Sequence, residues 1–222
     1  MGKILSLSNQ KGGTSKSSSA VNLGAALKMK GKKVLIVDLD PQGDASTYLG
    51  YEEESSDTIS QMMERFVRGE SIDLHDIIQV SEKNDGVEYL PADISLAGAE
   101  IYLVSVMSRE TVLKRMLSTI KDEYDYIIID CQPSLGVLVL NALVAADGVI
   151  IPAQTQELSR KALKAITDII GQVQATINPN LKLLGILLTI ADDRLSKMCW
   201  LTDIMTRKVL IVHYMSYQYF LN

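Results

Sequence analysis

The chain is 222 residues long, 47% hydrophobic and 22% charged, with a formal net charge of -5. That length and apolar fraction are enough to bury one sizeable core, which excludes a disordered polyelectrolyte and sets one domain with at most a short appendage as the expectation. The acidic balance excludes an overall basic field, so any nucleic-acid contact must come from a local basic patch.

The opening run MGKILSLSNQ turns polar too soon for a secretory leader, and no apolar run approaches the ~18 to 20 residues of a membrane span. Cys131 and Cys199 match no paired metal-ligand spacing. A soluble, cytoplasmic protein of a reducing compartment is the expectation.

In chain order, Lys3 to Ser8 (KILSLS) predicts a first strand, and Ser17 to Lys30 a helix with Ala20, Val21, Leu23, Gly24, Ala25 and Leu27 on its core side. Lys33 to Asp38 (KVLIVD) predicts the next strand. Glu52 to Asp57 (EEESSD) reads as a solvated acidic loop. Val87 to Leu90, Tyr126 to Asp130 (YIIID), Gly148 to Pro152 (GVIIP) and Leu181 to Thr189 (LKLLGILLT) follow as strands, separated by helical patterns at Ser134 to Ala145 and Ser159 to Thr176. These strand runs lack strict alternation, as strands buried on both faces do. Strand-helix alternation of this kind predicts an α/β fold, a mainly parallel twisted sheet with helices on both faces and its ligand outside the carboxyl ends of the strands. Met62, Met63, Met107 and Met116 recur at helical spacings and are expected in the core. His75 and His213 have no partner motif, and surface or packing roles are expected for them.

Three such strand ends carry polar motifs. After the first strand comes NQKGGTSKSS, Asn9 to Ser18. It departs from the ordinary phosphate-loop pattern G-x-x-x-x-G-K-[ST], with Gln10 and Ser15 at the two glycine positions. Even so, Gly12-Gly13 permits a tight turn, Lys16 can reach the β and γ phosphates, Ser17 can ligate Mg²⁺, and the following helix aims its positive end at the anion. Standing alone, the stretch also reads as a Gly- and Ser-rich turn with incidental lysines. Asp38-Leu39-Asp40-Pro41-Gln42-Gly43-Asp44 after the second strand, and Asp130-Cys131-Gln132-Pro133-Ser134-Leu135-Gly136 after YIIID, weigh against that. A carboxylate held at the end of an apolar strand, such as Asp130, is what a Walker B metal-orienting acid looks like.

NQKGG-x-x-K-S, VDLDPQGDAST, YDYIIIDCQPSLG and AADGVIIPAQ together resemble the motifs of the ParA/Soj family, the deviant Walker A ATPases that partition plasmids and chromosomes, which are relatives of MinD. The resemblance runs from about Lys3 to about Arg194. It implies a P-loop NTPase of the deviant Walker A type, with ATP or ADP and Mg²⁺ as cofactors. The nucleotide loop would comprise Lys11, Gly12, Gly13, Thr14, Ser15, Lys16, Ser17 and Ser18. Lys11, the signature lysine, would reach the phosphates of a partner subunit in a homodimer formed with ATP, which accounts for Gln10. Lys16 would bind phosphate in its own subunit, Asp40 would position the attacking water, and Ser17, Asp40 and Asp130 would form the metal site. Two lysines and one metal suit the charge that develops in phosphoryl transfer.

The chain also departs from the family pattern. Ser15-Lys16-Ser17 stands where Gly-Lys-Thr is usual; Ser17 keeps the hydroxyl, but Ser15 would be strained by ~1 kcal/mol or more if the turn needs a positive φ. Its hydroxyl can in turn hydrogen-bond phosphate. Gln132 replaces a proline and is expected to loosen its turn. The division expected is a nucleotide-binding domain over 1-194 and a short divergent segment over 195-222. The resemblance implies some tens of further residues after the strand ending near Thr189, whereas here Tyr214, Tyr217, Tyr219 and Phe220 crowd the last nine positions. A truncated or altered end, an alternative cap and a sheet-edge strand over Val209 to Phe220 all fit that composition.

Arg194 falls near a position where the family uses an arginine on DNA without sequence preference, with Lys197, Arg207 and Lys208 nearby; a patch of that size would bind in a salt-dependent way. A solvated helix face is the plainer reading of the same residues. The resemblance implies an ATP-dependent dimerisation switch with slow hydrolysis in plasmid or chromosome partition, binding non-specific DNA and a ParB-like centromere-binding protein. A MinD-like membrane switch is disfavoured, since HYMSYQYFLN lacks lysines, and the cluster cysteines of a nitrogenase-type iron protein are unmatched. The competing reading is a hydrolytically impaired nucleotide-binding regulatory module on the same fold.

Overall fold

The computed structural model describes residues 2–52, 57–154 and 160–189, with backbone alone for 160–162. Its elements are β1 (Lys3–Leu7), α1 (Lys16–Met29), β2 (Val34–Leu39), α2 (Asp44–Leu49), α3 (Ile59–Val67), β3 (Gln79–Ser81), β4 (Val87–Leu90), α4 (Ala99–Tyr102), α5 (Val112–Leu117), β5 (Tyr126–Cys131), α6 (Val137–Ala145), β6 (Gly148–Gln154), α7 (Arg160–Thr176) and β7 (Lys182–Thr189). Short 3-10 turns lie between several of them.

The strands form one seven-stranded sheet in the order β3-β4-β2-β5-β1-β6-β7. Every pairing is parallel except that of β3 with β4. All six strands expected from sequence are present. The added edge strand, β3, is only three residues, QVS, two of them polar, so no apolar run announced it.

Burial on both faces explains why the strands read as continuous apolar runs. In β2, Leu35, Val37 and Leu39 enter one core while Val34 and Ile36 enter the other. In β5, Ile127, Ile129 and Cys131 alternate with Ile128 in the same way. The smaller core is completed by Ala20 and Val21 of α1 with Ala45 and Leu49 of α2. The larger is closed by side chains of α3, α5, α6 and α7, among them Met63, Leu113, Leu143 and Ile166. Helices thus cover both faces, as expected.

Two helix ends show how side chains set the boundaries. Thr58 and Gln61 form a reciprocal capping box at the start of α3. At the other end of a helix, the Asn178 amide donates to the carbonyls of Leu143, Val144 and Ala146 at 3.1, 3.2 and 2.8 Å, satisfying the orphan acceptors of α6. α6 itself begins at Val137 and not at Ser134. There the Ser134 N–H donates to Gln132 O and the Gly136 N–H to Ser134 Oγ, making a turn first.

Met62, Met63 and Met116 are buried as expected. Met107 is not: it is 90% exposed. It follows the 3-10 turn Leu103–Ser105 and precedes Arg109–Thr111, so no helix passes through it to carry the spacing. His75 is on the surface, its Nδ1 2.7 Å from Asp73 and its Nε2 3.1 Å from Glu123. Among the described residues no helix is long and apolar enough to cross a membrane. Glu53 to Ser56 of the acidic loop, Arg194 with the basic residues beyond it, His213 and the segment 195-222 lie outside the described residues.

Candidate functional site

The three polar strand ends converge because β2, β5 and β1 are neighbours. Leu7 of β1 and Asp38 of β2 are both in register with Asp130 of β5. One row across three parallel strands therefore places the start of the phosphate-type loop beside two carboxylates at the carboxyl edge of the sheet, where an α/β fold binds its ligand.

The loop from Ser8 to Ser15 is pinned from both ends. Ser8 N donates to Ile150 O at 3.1 Å and Asn9 Nδ2 to Pro152 O at 2.6 Å, while Asn9 Oδ1 accepts from Lys11 N at 3.1 Å. Farther on, Gln154 donates to Gly13 O and Thr189 Oγ1 to Thr14 O, the latter at 3.1 Å. The ends of β6 and β7 thus hold the loop open. Gln10, Lys11, Gly12 and Gly13 are exposed, whereas Thr14 and Lys16 are buried. Lys16 Nζ reaches under the loop to Lys11 O at 3.4 Å, and Thr14 Oγ1 meets the same carbonyl at 3.4 Å.

α1 then begins without a side-chain cap, its N-cap being Ser15. The N–H groups of its first turn, with the helix dipole behind them, make an anion-binding end. Gly13 has φ 71°, and a Cβ built on Gly12 or Gly13 would meet no protein atom within 4 Å. Glycine is therefore not demanded there by protein packing, which fits a loop whose backbone approaches a ligand. Ser15 takes φ 60° and ψ 34°, the left-handed region. The strain expected if this turn needed a positive φ is real: an L-residue there costs about 1 to 2 kcal/mol relative to the right-handed well.

Facing the loop are Asp38, Asp40 and Asp130, all buried. Asp38 accepts from Ser46 Oγ at 2.6 Å, Ser46 N at 2.8 Å and Asp40 N at 3.1 Å, yet burial outweighs these bonds and pushes its pKa up to about 6. Asp40 accepts from Gln42 N at 3.0 Å; burial raises its pKa, and nearby Lys16 opposes the rise. Asp130 is fully buried, and neither carboxylate oxygen has a hydrogen-bond partner. Burial, with the charge of Asp38 adding, lifts it well above the ordinary carboxylate range; Ser17 and Lys16 oppose without offsetting.

An ionisable group buried with both acceptors orphaned calls for a cation or a proton. Mg²⁺ takes one or two protein carboxylates and keeps waters and phosphate oxygens for the rest of its shell. The donor set of Asp130, the neighbouring Ser17 hydroxyl and the Asp40 carboxylate suits it. Cys131, next in sequence, turns the other way. Its Sγ lies 3.3 and 3.2 Å from the hydroxyls of Ser6 and Ser8, and burial raises the thiol pKa to about 11, so it is an inert packing thiol.

Every expected loop residue and all the expected metal residues thus fall at one sheet edge. Sequence reasoning passed over several partners. Asp38 was visible as a strand-terminal acid two residues before Asp40, hence on the same side. Gln154 and Thr189 act on the loop across long sequence separations and carried no local signal, and Ser46 reaches Asp38 from eight residues on, in the first turn of α2. Gln132 is not loose: its Nε2 donates to Glu100 Oε1 at 2.8 Å.

A family profile described as an AAA domain matches residues 2–183. The sporulation initiation inhibitor protein Soj of Bacillus subtilis is 44% identical over 196 residues, 87% of this chain and 75% of that protein. The chromosome partitioning protein ParA of Myxococcus xanthus is 41% identical over 87% of this chain and 67% of its own length. Among solved structures, cobyrinic acid a,c-diamide synthase from Mycobacterium smegmatis with bound ATP analog and magnesium superposes with a TM-score of 0.83 at 38% identity, covering 93% of this chain and 83% of that one. Apo McdA from Cyanothece gives a TM-score of 0.80 at 24% identity over 94% of this chain and 83% of that one, a likeness of fold.

Proposed function

Since this chain belongs to the ParA/Soj family of partition ATPases, we propose that it is a magnesium-dependent ATP switch acting in plasmid or chromosome partition. The observation that carries the reading is Asp130, whose two unpartnered buried oxygens stand at the end of β5 beside the loop that encloses Lys16. The partition part is supported by relatives whose names include Soj and ParA and whose similarity spans 87% of this chain. The cofactors are supported by the related M. smegmatis structures with ADP and magnesium and with an ATP analog and magnesium.

In this reading the N–H groups of Gly12 to Ser18 and the Lys16 ammonium bind the phosphates of ATP. Ser17, Asp130 and Asp40 hold the metal shell, and Mg²⁺ supplies charge neutralisation on the phosphates. Asp40, two residues past the Asp38 of the row, orients the attacking water through the oxygen not engaged by Gln42. Lys11, exposed on the loop, contacts the phosphates of a second subunit and makes dimerisation depend on ATP. The dimer binds DNA without sequence preference through the region of Arg194, a ParB-like centromere-binding protein stimulates hydrolysis, and the protein works in the cytoplasm on the nucleoid.

A second reading is favoured by one observation, the left-handed Ser15. A strained loop with an added Cβ can bind nucleotide while turning it over poorly, leaving a regulatory module. ATP turnover with DNA and partner present, beside Lys16→Ala and Asp40→Ala, separates the two. Turnover above the Asp40→Ala level supports the switch; wild-type turnover no higher than that variant overturns hydrolysis and leaves the module. Dimer formation on a sizing column with ATP and Mg²⁺, abolished by Lys11→Ala, tests the lysine's role.

A further inference from the structure

The loop that follows Asp130 is gripped by one side chain from outside the nucleotide site. Glu100 lies on α4, a four-residue helix on the larger-core side of the sheet. Its Oε1 accepts from Gln132 Nε2 at 2.8 Å, two residues past Asp130. The same oxygen fills the space beside Gly136, where an added Cβ would clash with it and lie 2.9 Å from Glu100 Cδ. Gly136 has φ -74° and ψ -174°, a conformation open to any residue. Glycine there makes room for the carboxylate and does not serve the backbone. Glu100 thus bonds the loop at Gln132 and lies over Gly136, while the internal bonds of Ser134 to Gln132 and Gly136 shape its middle.

We propose that Glu100 is a positioning residue that fixes the loop from Gln132 to Gly136, and through it Asp130, so that it governs turnover and leaves nucleotide affinity nearly unchanged. A hydrogen bond at one end of a five-residue loop and a carboxylate lying over the other restrict its freedom, and Asp130 is coupled to that loop by a single intervening residue, Cys131. Gln132 supplies the donor that a proline at that place lacks, so the latch belongs to this chain's own residues. None of the loop's contacts with Glu100 touches the phosphate loop, which is why binding is spared.

The kinetic part of the test rests on the ATP-switch reading; a second part does not. In steady-state ATPase assays, Glu100→Ala is expected to lower kcat about tenfold with KM for ATP within about twofold, while Glu100→Gln, which keeps an acceptor for Gln132, retains at least half of kcat. Gly136→Ala inserts a Cβ where the carboxylate lies and should reproduce Glu100→Ala, and the double variant should be no slower than either single one. In parallel, amide hydrogen exchange of the peptide 131–137 in the nucleotide-free protein should quicken at least fivefold in Glu100→Ala and in Gly136→Ala but not in Glu100→Gln. Unchanged exchange in Glu100→Ala overturns the latch even if the wild type hydrolyses no ATP. Additive kcat losses in the double variant, or Glu100→Gln as slow as Glu100→Ala, overturn it as well. Quickened exchange in Glu100→Ala, found beside a wild type that shows no turnover, upholds the latch and overturns the ATPase reading alone.

Discussion

Asp38 and Asp130 stand in register on adjacent parallel strands, both wholly buried, one with three hydrogen bonds and the other with none. Like charges side by side in a dry row destabilise the metal-free protein. The folded pKa of Asp38, about 6, exceeds its ordinary 3.8, so between those values the folded state keeps a proton the unfolded chain has released. Stability from this group is therefore highest below the unfolded pKa and declines as pH rises through the folded one. The loss is of the order of 3 kcal/mol for Asp38, and Asp130 acts in the same direction. In thermal denaturation without metal, wild type should lose more stability between pH 5 and pH 7.5 than Asp130→Asn does. Saturating Mg²⁺ and ADP should shrink the wild-type slope. Equal slopes for the two proteins would refute the pairing.

Ser15 at φ 60° invites a substitution that restores backbone freedom. Relief of the left-handed strain returns about 1 to 2 kcal/mol, and the greater freedom of glycine in the unfolded chain takes back ~0.4 to 1. Ser15→Gly should thus stabilise the protein by roughly 0.5 to 1 kcal/mol in urea denaturation, with no fall in ATP turnover. Ser15→Val, β-branched and worse in this region, should destabilise it by more than ~1 kcal/mol. A less stable Ser15→Gly protein would mean that the serine hydroxyl holds the loop more firmly than its backbone strains it.

The sheet and the site's main acids were legible because each depends on local pattern. Six strands announced themselves as apolar runs, and Asp40, Asp130 and Lys16 as polar residues at their ends. The failures share a cause, which is dependence on distant partners. β3 pairs only because β4 offers an edge, and Met107 sits where a helical spacing continues in sequence after the helix has stopped. Gln132 read as a loosened turn since its acceptor, Glu100, is 32 residues away. Ser15's backbone strain, by contrast, was foreseeable, because a glycine position in a tight turn constrains whatever replaces it.

Asn178 is a purely structural test of the fold. It is 7% exposed, and its amide serves three carbonyls at the end of α6, the helix that follows the Asp130 loop. Removing the donor leaves those acceptors in a setting closed to water, at ~1 to 3 kcal/mol in total. Asn178→Ala should lower the urea midpoint accordingly and leave KM for ATP unchanged. Asn178→Asp, which replaces the donor by an acceptor facing carbonyls, should be worse. A neutral Asn178→Ala would show that α6 closes without it.

Ser46 joins the site to the rest of the sheet. Its hydroxyl donates to Asp38 at 2.6 Å and accepts from the N–H of Ala92 at 2.9 Å, just past β4. Both neighbours are buried. Ser46→Ala removes a donor that steadies the Asp38 carboxylate and an acceptor that satisfies the Ala92 N–H, so about 2 to 4 kcal/mol of stability should be lost near neutral pH. The loss should be smaller at pH 5. There Asp38 is largely protonated in the folded state, and only the Ala92 half of the defect persists. Because the hydroxyl favours the ionised form of Asp38, its removal raises that folded pKa further and steepens the fall of stability from pH 5 to pH 7.5. Urea titrations of wild type and Ser46→Ala at the two pH values measure the difference directly. A loss equal at both would place the hydroxyl's contribution on Ala92 alone and leave Asp38 held by the backbone N–H groups of Asp40 and Ser46.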